Sequence, residues 1–187
     1  MSINGRESDF AKRLRWGVIL TTVTVASTLL VACGTPFVAL ATLGALFLPR
    51  RDAVVLIAVN WLANQTIGFA FLHYPHTWEC YRGGLDIGFA ALSCAYVALL
   101  AERVLRKAAP VVAALGSFTV AFVTYEGLLY AISPHGNAAD FALPIVGYIF
   151  LVNSIAFVGL LLIKALAAAL GFSFPLVTVS ELERRVS

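Results

Sequence analysis

Six apolar segments dominate this chain of 187 residues: 16–33, 36–49, 53–72, 84–101, 110–132 and 142–170. All but the second approach the ~20 residues that an α-helix needs to cross the hydrocarbon core of a bilayer. Lipid offers no hydrogen bonds, so a segment that crosses must satisfy its own backbone, and outside a closed barrel it does so as a helix. Composition agrees: 60% of the residues are hydrophobic and 12% are charged, against about 25% charged in a soluble domain. The expected fold is an all-α polytopic membrane protein of six transmembrane helices. It forms a single integral membrane domain, with residues 171–187 as a cytoplasmic tail. Gly34-Thr35-Pro36 separates the first helix from the second. The second is short, so it is a tilted or partial span, or a re-entrant piece buried by its neighbours. The sixth exceeds one crossing and is expected to tilt or run on into the cytoplasm. The leading MSINGRESDFAKRLRWG reads as an amphipathic lead-in at the membrane surface, not as a cleaved signal.

Lys and Arg orient the spans. With the N-terminus in the cytoplasm, Arg6, Lys12, Arg13, Arg15, Arg50, Arg51, Arg103, Arg106, Lys107, Arg184 and Arg185 fall inside, and only Arg82 falls outside. Lys164 lies near the inner end of the sixth helix and snorkels inward. This bias predicts both termini on the cytoplasmic side of the cytoplasmic membrane. It also requires the second helix to cross, since otherwise Arg50 and Arg51 would share a side with Gly34.

Orientation gives each polar residue a depth. The stretch NWLANQTIGF, residues 60–69, sets Asn60, Asn64 and Gln65 near the midplane of the third helix. Asn60 and Asn64 are four apart and share a face that Gly68 extends. Asp86 lies just inside the outer end of the fourth helix, with Arg82 one turn away. Glu126 lies in the outer half of the fifth, with Thr119 and Tyr130 on its face; Tyr148 and Asn153 lie in the sixth. Ionisable groups within a membrane are rare and normally face a partner or a wet cavity. These positions predict a polar cavity open to the outside between the third to sixth helices. Its substrate-binding residues would be Asn64, Gln65, Asp86, Glu126, Tyr130, Tyr148, Asn153 and Trp78. The aromatic loop 73–84, with Tyr74, Trp78 and Tyr81, would cover it. The competing reading makes the amides interhelical glue, Trp61 a packing residue, and the loop aromatics an interfacial belt.

All three histidines map outside. His73, His76 and His135 with Glu79 offer a loosely spaced set for a divalent metal. Cys33 and Cys80 also map outside, where a disulfide is possible, while Cys94 reads as an apolar filler. The chain has no phosphate loop, HExxH, haem-attachment motif or Ser–His–Asp set in a plausible compartment, and no basic cluster suited to nucleic acid. No cofactor is implied and an enzyme is disfavoured. The adjacent glycines of GGLDIGF open a membrane helix and cradle no phosphate.

The layout resembles the S components of energy-coupling factor (ECF) transporters. The shared features are length, six helices, inward termini, a short second helix and an outer pocket. The stretch ALATLGALFLPRRDAVVLIAVNWLANQTIGF, residues 39–69, is similar in character to that family's second and third helices. The resemblance implies capture of a small water-soluble micronutrient, with uptake driven by a transmembrane coupling subunit and two ATPases. It also implies docking through A-x-x-x-A faces. Here these occur at Ala41 and Ala45 and at Ala165 and Ala169, but not in the first helix.

Three functions therefore stand as expectations. The first is a substrate-binding uptake subunit. The second is a divalent-metal permease using the outer histidines, and the third a structural or assembly subunit of a membrane complex.

Overall fold

A computed structural model describes residues 35–132 and 141–169, together with Leu14, Val18, Thr21 and Thr22. The described residues are helical and contain no strand. The elements in order are α1 (Phe37–Phe47), α2 (Arg50–Ala70), α3 (Trp78–Leu105), α4 (Pro110–Ile132) and α5 (Leu143–Ala169). Four of these, α2 to α5, are long and apolar enough to cross a membrane, so the chain is a multi-pass membrane protein. Leu14, Val18, Thr21 and Thr22 are helical; the rest of the first expected span, both termini and the tail lie outside the described residues.

Proline marks most of the helix starts. Pro36 and Pro49 precede α1 and α2, Pro110 opens α4, and Pro144 lies in the first turn of α5. In a first turn the missing N–H has no intrahelical partner to lose, and the fixed φ suits a helix. The fourth expected helix begins six residues earlier than expected, at Trp78. Thr77 is in an extended conformation, and its hydroxyl accepts from the Cys80 N–H at 3.4 Å. That cap converts half of the expected lid into helix and leaves only 71–77 as a loop.

The second expected span is the largest departure. It is an 11-residue helix, about 16 Å long at 1.5 Å per residue. This is roughly half of the ~30 Å hydrocarbon thickness. Every residue from Phe37 to Ala45 is buried. Helix α1 sits in the centre and touches each of the four long helices.

Small side chains make that centre possible. Helix α3 faces inward with Gly84, Gly88, Ala90, Ala91, Cys94, Ala95 and Ala98. Helix α4 contributes Ala113, Ser117 and Ala121 to the same interior, with Phe118 and Tyr125 as fillers. Without branched side chains, backbones approach closely and dispersion contacts replace the hydrophobic drive that lipid does not supply. Where Gly84 and Gly88 line one face of α3, α2 lays larger groups into the groove. The Trp61 indole lies over Gly88, where an added Cβ would fall 2.5 Å from the ring, and its N–H donates to the Gly84 carbonyl at 2.8 Å. Helix α5 joins α4 through rings: Phe157 lies 4.9 Å from Phe118, and Phe150 5.0 Å from Phe122.

Among the described residues, Arg50, Arg51, Arg103, Arg106 and Lys107 gather where α2 begins, α3 ends and α4 begins. Arg82 lies toward the opposite end, which carries the 71–77 loop.

Candidate functional site

The central helix begins in the middle of the bundle, and that beginning organises the site. A helix leaves its first N–H groups without intrahelical partners, and in apolar surroundings each such donor is costly. Pro36 supplies no side-chain cap. Asn153 of α5 supplies it from 115 residues away: its Oδ1 accepts the Val38 N–H at 3.0 Å and the Ala39 N–H at 3.2 Å. The Phe37 N–H donates to the Thr35 carbonyl and the Leu40 N–H to that of Pro36, so all four opening donors are satisfied. The Asn153 Nδ2 donates back to the Ile149 carbonyl. Asn153 was expected in the pocket wall, but its polar atoms are committed to helices.

Asn64 reaches the same place from α2. Its Nδ2 donates to the Thr35 hydroxyl at 2.7 Å, and its Oδ1 accepts from the Gln65 Nε2 at 3.1 Å. One turn lower, the Asn60 Nδ2 donates to the Leu56 carbonyl at 2.8 Å and reaches the Thr21 hydroxyl at 3.5 Å. Asn60, Asn64 and Gly68 share a buried face, as their spacing predicts.

A cavity of about 340 Å³ opens above the start of α1, toward the loop end. Its floor is Thr35, Asn64 and Gln65. Phe37, Ile87 and Tyr125 form walls, and Gly83 and Gly84 let α3 pass close by. Tyr74, Pro75 and Cys80 line the mouth. The 71–77 loop is folded down against it. The Tyr74 N–H donates to the Gly68 carbonyl at 3.0 Å, and the Tyr74 ring lies where a Gly68 side chain would stand. The turn that allows this places His73 at φ 55°, the left-handed region that glycine favours and His adopts only occasionally. Phe69 stacks on Tyr81 at 4.9 Å and on His76 at 5.5 Å, and His76 Nδ1 lies 2.7 Å from the Tyr81 hydroxyl.

Of the eight expected substrate residues, Asn64 and Gln65 line this cavity. Asp86 is half-buried and lies 3.9 Å from Arg82, its sequence neighbour by one turn; such a partly exposed pair contributes about 0–1 kcal/mol. Glu126 is half-buried on α4, outside the cavity wall. Its Oε1 is closed off with no hydrogen bond among the described residues. Trp78, Tyr130 and Tyr148 are exposed at 72%, 61% and 48% on the outer surface, near the loop end of their helices. That is where an interfacial aromatic belt sits. Three wall or mouth residues, Phe37, Cys80 and Tyr125, had no signal in the pattern, because facing helices bring them together. Gly84 had one: Gly84-x-x-x-Gly88 is the small-residue spacing of close helix packing.

No group of three metal-ligating side chains stands together among the described residues; His135 lies outside them. Among the described residues Cys80 and the buried Cys94 are free thiols; Cys33, the possible partner of Cys80, lies outside them. Ala41 and Ala45 are buried in the core and offer no docking face, whereas Ala165 and Ala169 on α5 are exposed. Compared with family models, curated proteins and solved structures, the chain matches none.

Proposed function

We propose that this chain is a membrane-embedded binding subunit for the uptake of a small molecule, with the cavity above α1 as its site. The observation that carries this reading is the cavity itself. It holds about 340 Å³ at the loop end, with polar groups on its floor and apolar and aromatic walls, the usual make-up of a small-molecule site. In the full reading the chain crosses the cytoplasmic membrane six times, both termini are cytoplasmic, and the cavity opens outside. A coupling subunit and ATPases would supply the energy, as the resemblance to the S components implies.

One observation favours a second reading. Asn60, Asn64 and Asn153 all bond to neighbouring helices or turns, which is what an assembly subunit needs. Purified protein separates the two. Native mass spectrometry and thermal shift against vitamins, their precursors and divalent metals are expected to find a bound compound whose affinity falls about three- to tenfold in Gln65→Ala, with little change in melting temperature. A chain that binds nothing in that panel, and purifies only with other membrane subunits, would be an assembly subunit instead.

A further inference from the structure

The walls of the cavity restrict the charge its occupant can carry. Among the described residues, no Asp, Glu, Lys, Arg or His lines it. Of the helix starts beside it, that of α1 has its opening N–H groups taken by Asn153, Thr35 and Pro36, and at that of α3, whose Cys80 lines the mouth, the Cys80 N–H is taken by the Thr77 hydroxyl, so among these lining groups no free amide fork waits for an anion. Asp86 is turned to Arg82 and Glu126 lies outside the wall, so no carboxylate waits for a cation. An ion placed here would lose its hydration and gain no counter-charge, which strongly disfavours it.

Two polar groups in the wall do keep free valences. Tyr125 is 7% exposed and lines the cavity, and its hydroxyl makes no hydrogen bond among the described residues. Nor is that oxygen among the polar atoms sealed off without a partner, which are Asn60 Oδ1, Ser117 Oγ and Glu126 Oε1. Tyr125 is part of the cavity wall, and a buried tyrosine normally finds a partner for its hydroxyl. Gln65 uses one Nε2 hydrogen on Asn64. Its Oε1, lying over Gly84, keeps its acceptor capacity. Between them lie flat faces: the Phe37 and Tyr125 rings stand 6.4 Å apart at 40°, and Tyr74 closes the mouth.

We infer that the occupant is a neutral, flat ring compound, held at one edge by the Tyr125 hydroxyl and at another by the Gln65 amide. This rests on the binding reading above and adds the ligand's class. Three probes with one ring system test it: 2-naphthamide, 2-naphthoate and 2-naphthamidine, which are neutral, anionic and cationic at neutral pH. Their dissociation constants would be measured by calorimetry on the full chain in detergent. The neutral amide is expected to bind at least about tenfold tighter than either ion. Tyr125→Phe, with an unchanged melting temperature, should weaken the amide about three- to tenfold, the range of one hydrogen bond. Gln65→Ala should do the same.

If either ion binds as tightly as the amide and Gln65→Ala weakens it, the cavity is a binding site but the neutral class is wrong. If Tyr125→Phe leaves the amide's affinity unchanged, the anchor is wrong. If none of the three binds and 2-naphthamide does not slow alkylation of Cys80 at the mouth by N-ethylmaleimide, both this inference and the binding reading fall.

Discussion

Helix α1, FVALATLGALF, and the second half of α5, SIAFVGLLLIKALAAA, are written in nearly the same alphabet, yet one is the core and the other is mostly surface. All residues from Phe37 to Ala45 are buried, while only 17% of the most apolar window of α5 is. Hydrophobicity does not separate them, because lipid receives Leu as readily as a protein interior does. What separates them is length and the fate of the ends. Helix α5 is long enough for its ends to approach water, so only one stripe of it, Asn153, Phe157 and Leu160, turns inward. Helix α1 starts in the middle of the bundle, so neighbours must meet that end, and it stops at Phe47 beside the basic end where α2 begins. Asn153 takes the first N–H groups. At the other end the Lys164 Nζ lies 4.0 Å from the centre of the Phe47 ring, where a cation favours the negative pole of a helix. Those two residues of α5 are eleven apart, close to the ten steps from Phe37 to Phe47, so the helices run side by side.

Substitutions test this contrast in descending order. Leu43→Ala, at a fully buried position of α1, is expected to cost about 2–5 kcal/mol. Leu162→Ala, on the exposed face of α5, should stay within about 0.5 kcal/mol. Reversible unfolding in mixed micelles reads both, and equal losses would break the comparison. Asn153→Ala removes one acceptor and strands two donors, so about 1–3 kcal/mol should be lost. Asn153→Asp keeps an acceptor at the positive pole of α1 and should recover part of that loss. Recovery with Asp but not with Leu sharpens the claim that the side chain acts as a cap. Lys164→Met keeps the stem and drops the charge, for an expected loss of about 0.3–1 kcal/mol that shrinks in high salt if Lys164 meets water.

Much of the fold was legible because membrane spans announce themselves. The third long helix, α4, falls on 110–132, and α5 differs from its expected range by one residue at each end. Pro110 opens the first of these, and Pro144 lies in the first turn of the second. Thr77 was a cap signal of the same kind, but an aromatic loop obscured it. The site was legible only where one helix carried it: Asn64 and Gln65 are adjacent, and their depth follows from counting turns. Tyr125 and Cys80 become neighbours of those amides only through packing, and no spacing within a single helix reports that. The burial of α1 was legible only as one of several options for a short segment, since an apolar segment reads the same whether it meets lipid or protein.

The acceptor for Val38 and Ala39 lies some 115 residues downstream, and a chain is made from one end. At about 5–20 residues per second, translation needs roughly 6–23 s to deliver Asn153 after α1 has emerged. Until then the start of α1 has no intramembrane cap from α5. The core helix is synthesised well before the residue that caps it, so a truncation before α5 damages the centre of the protein more than its edge.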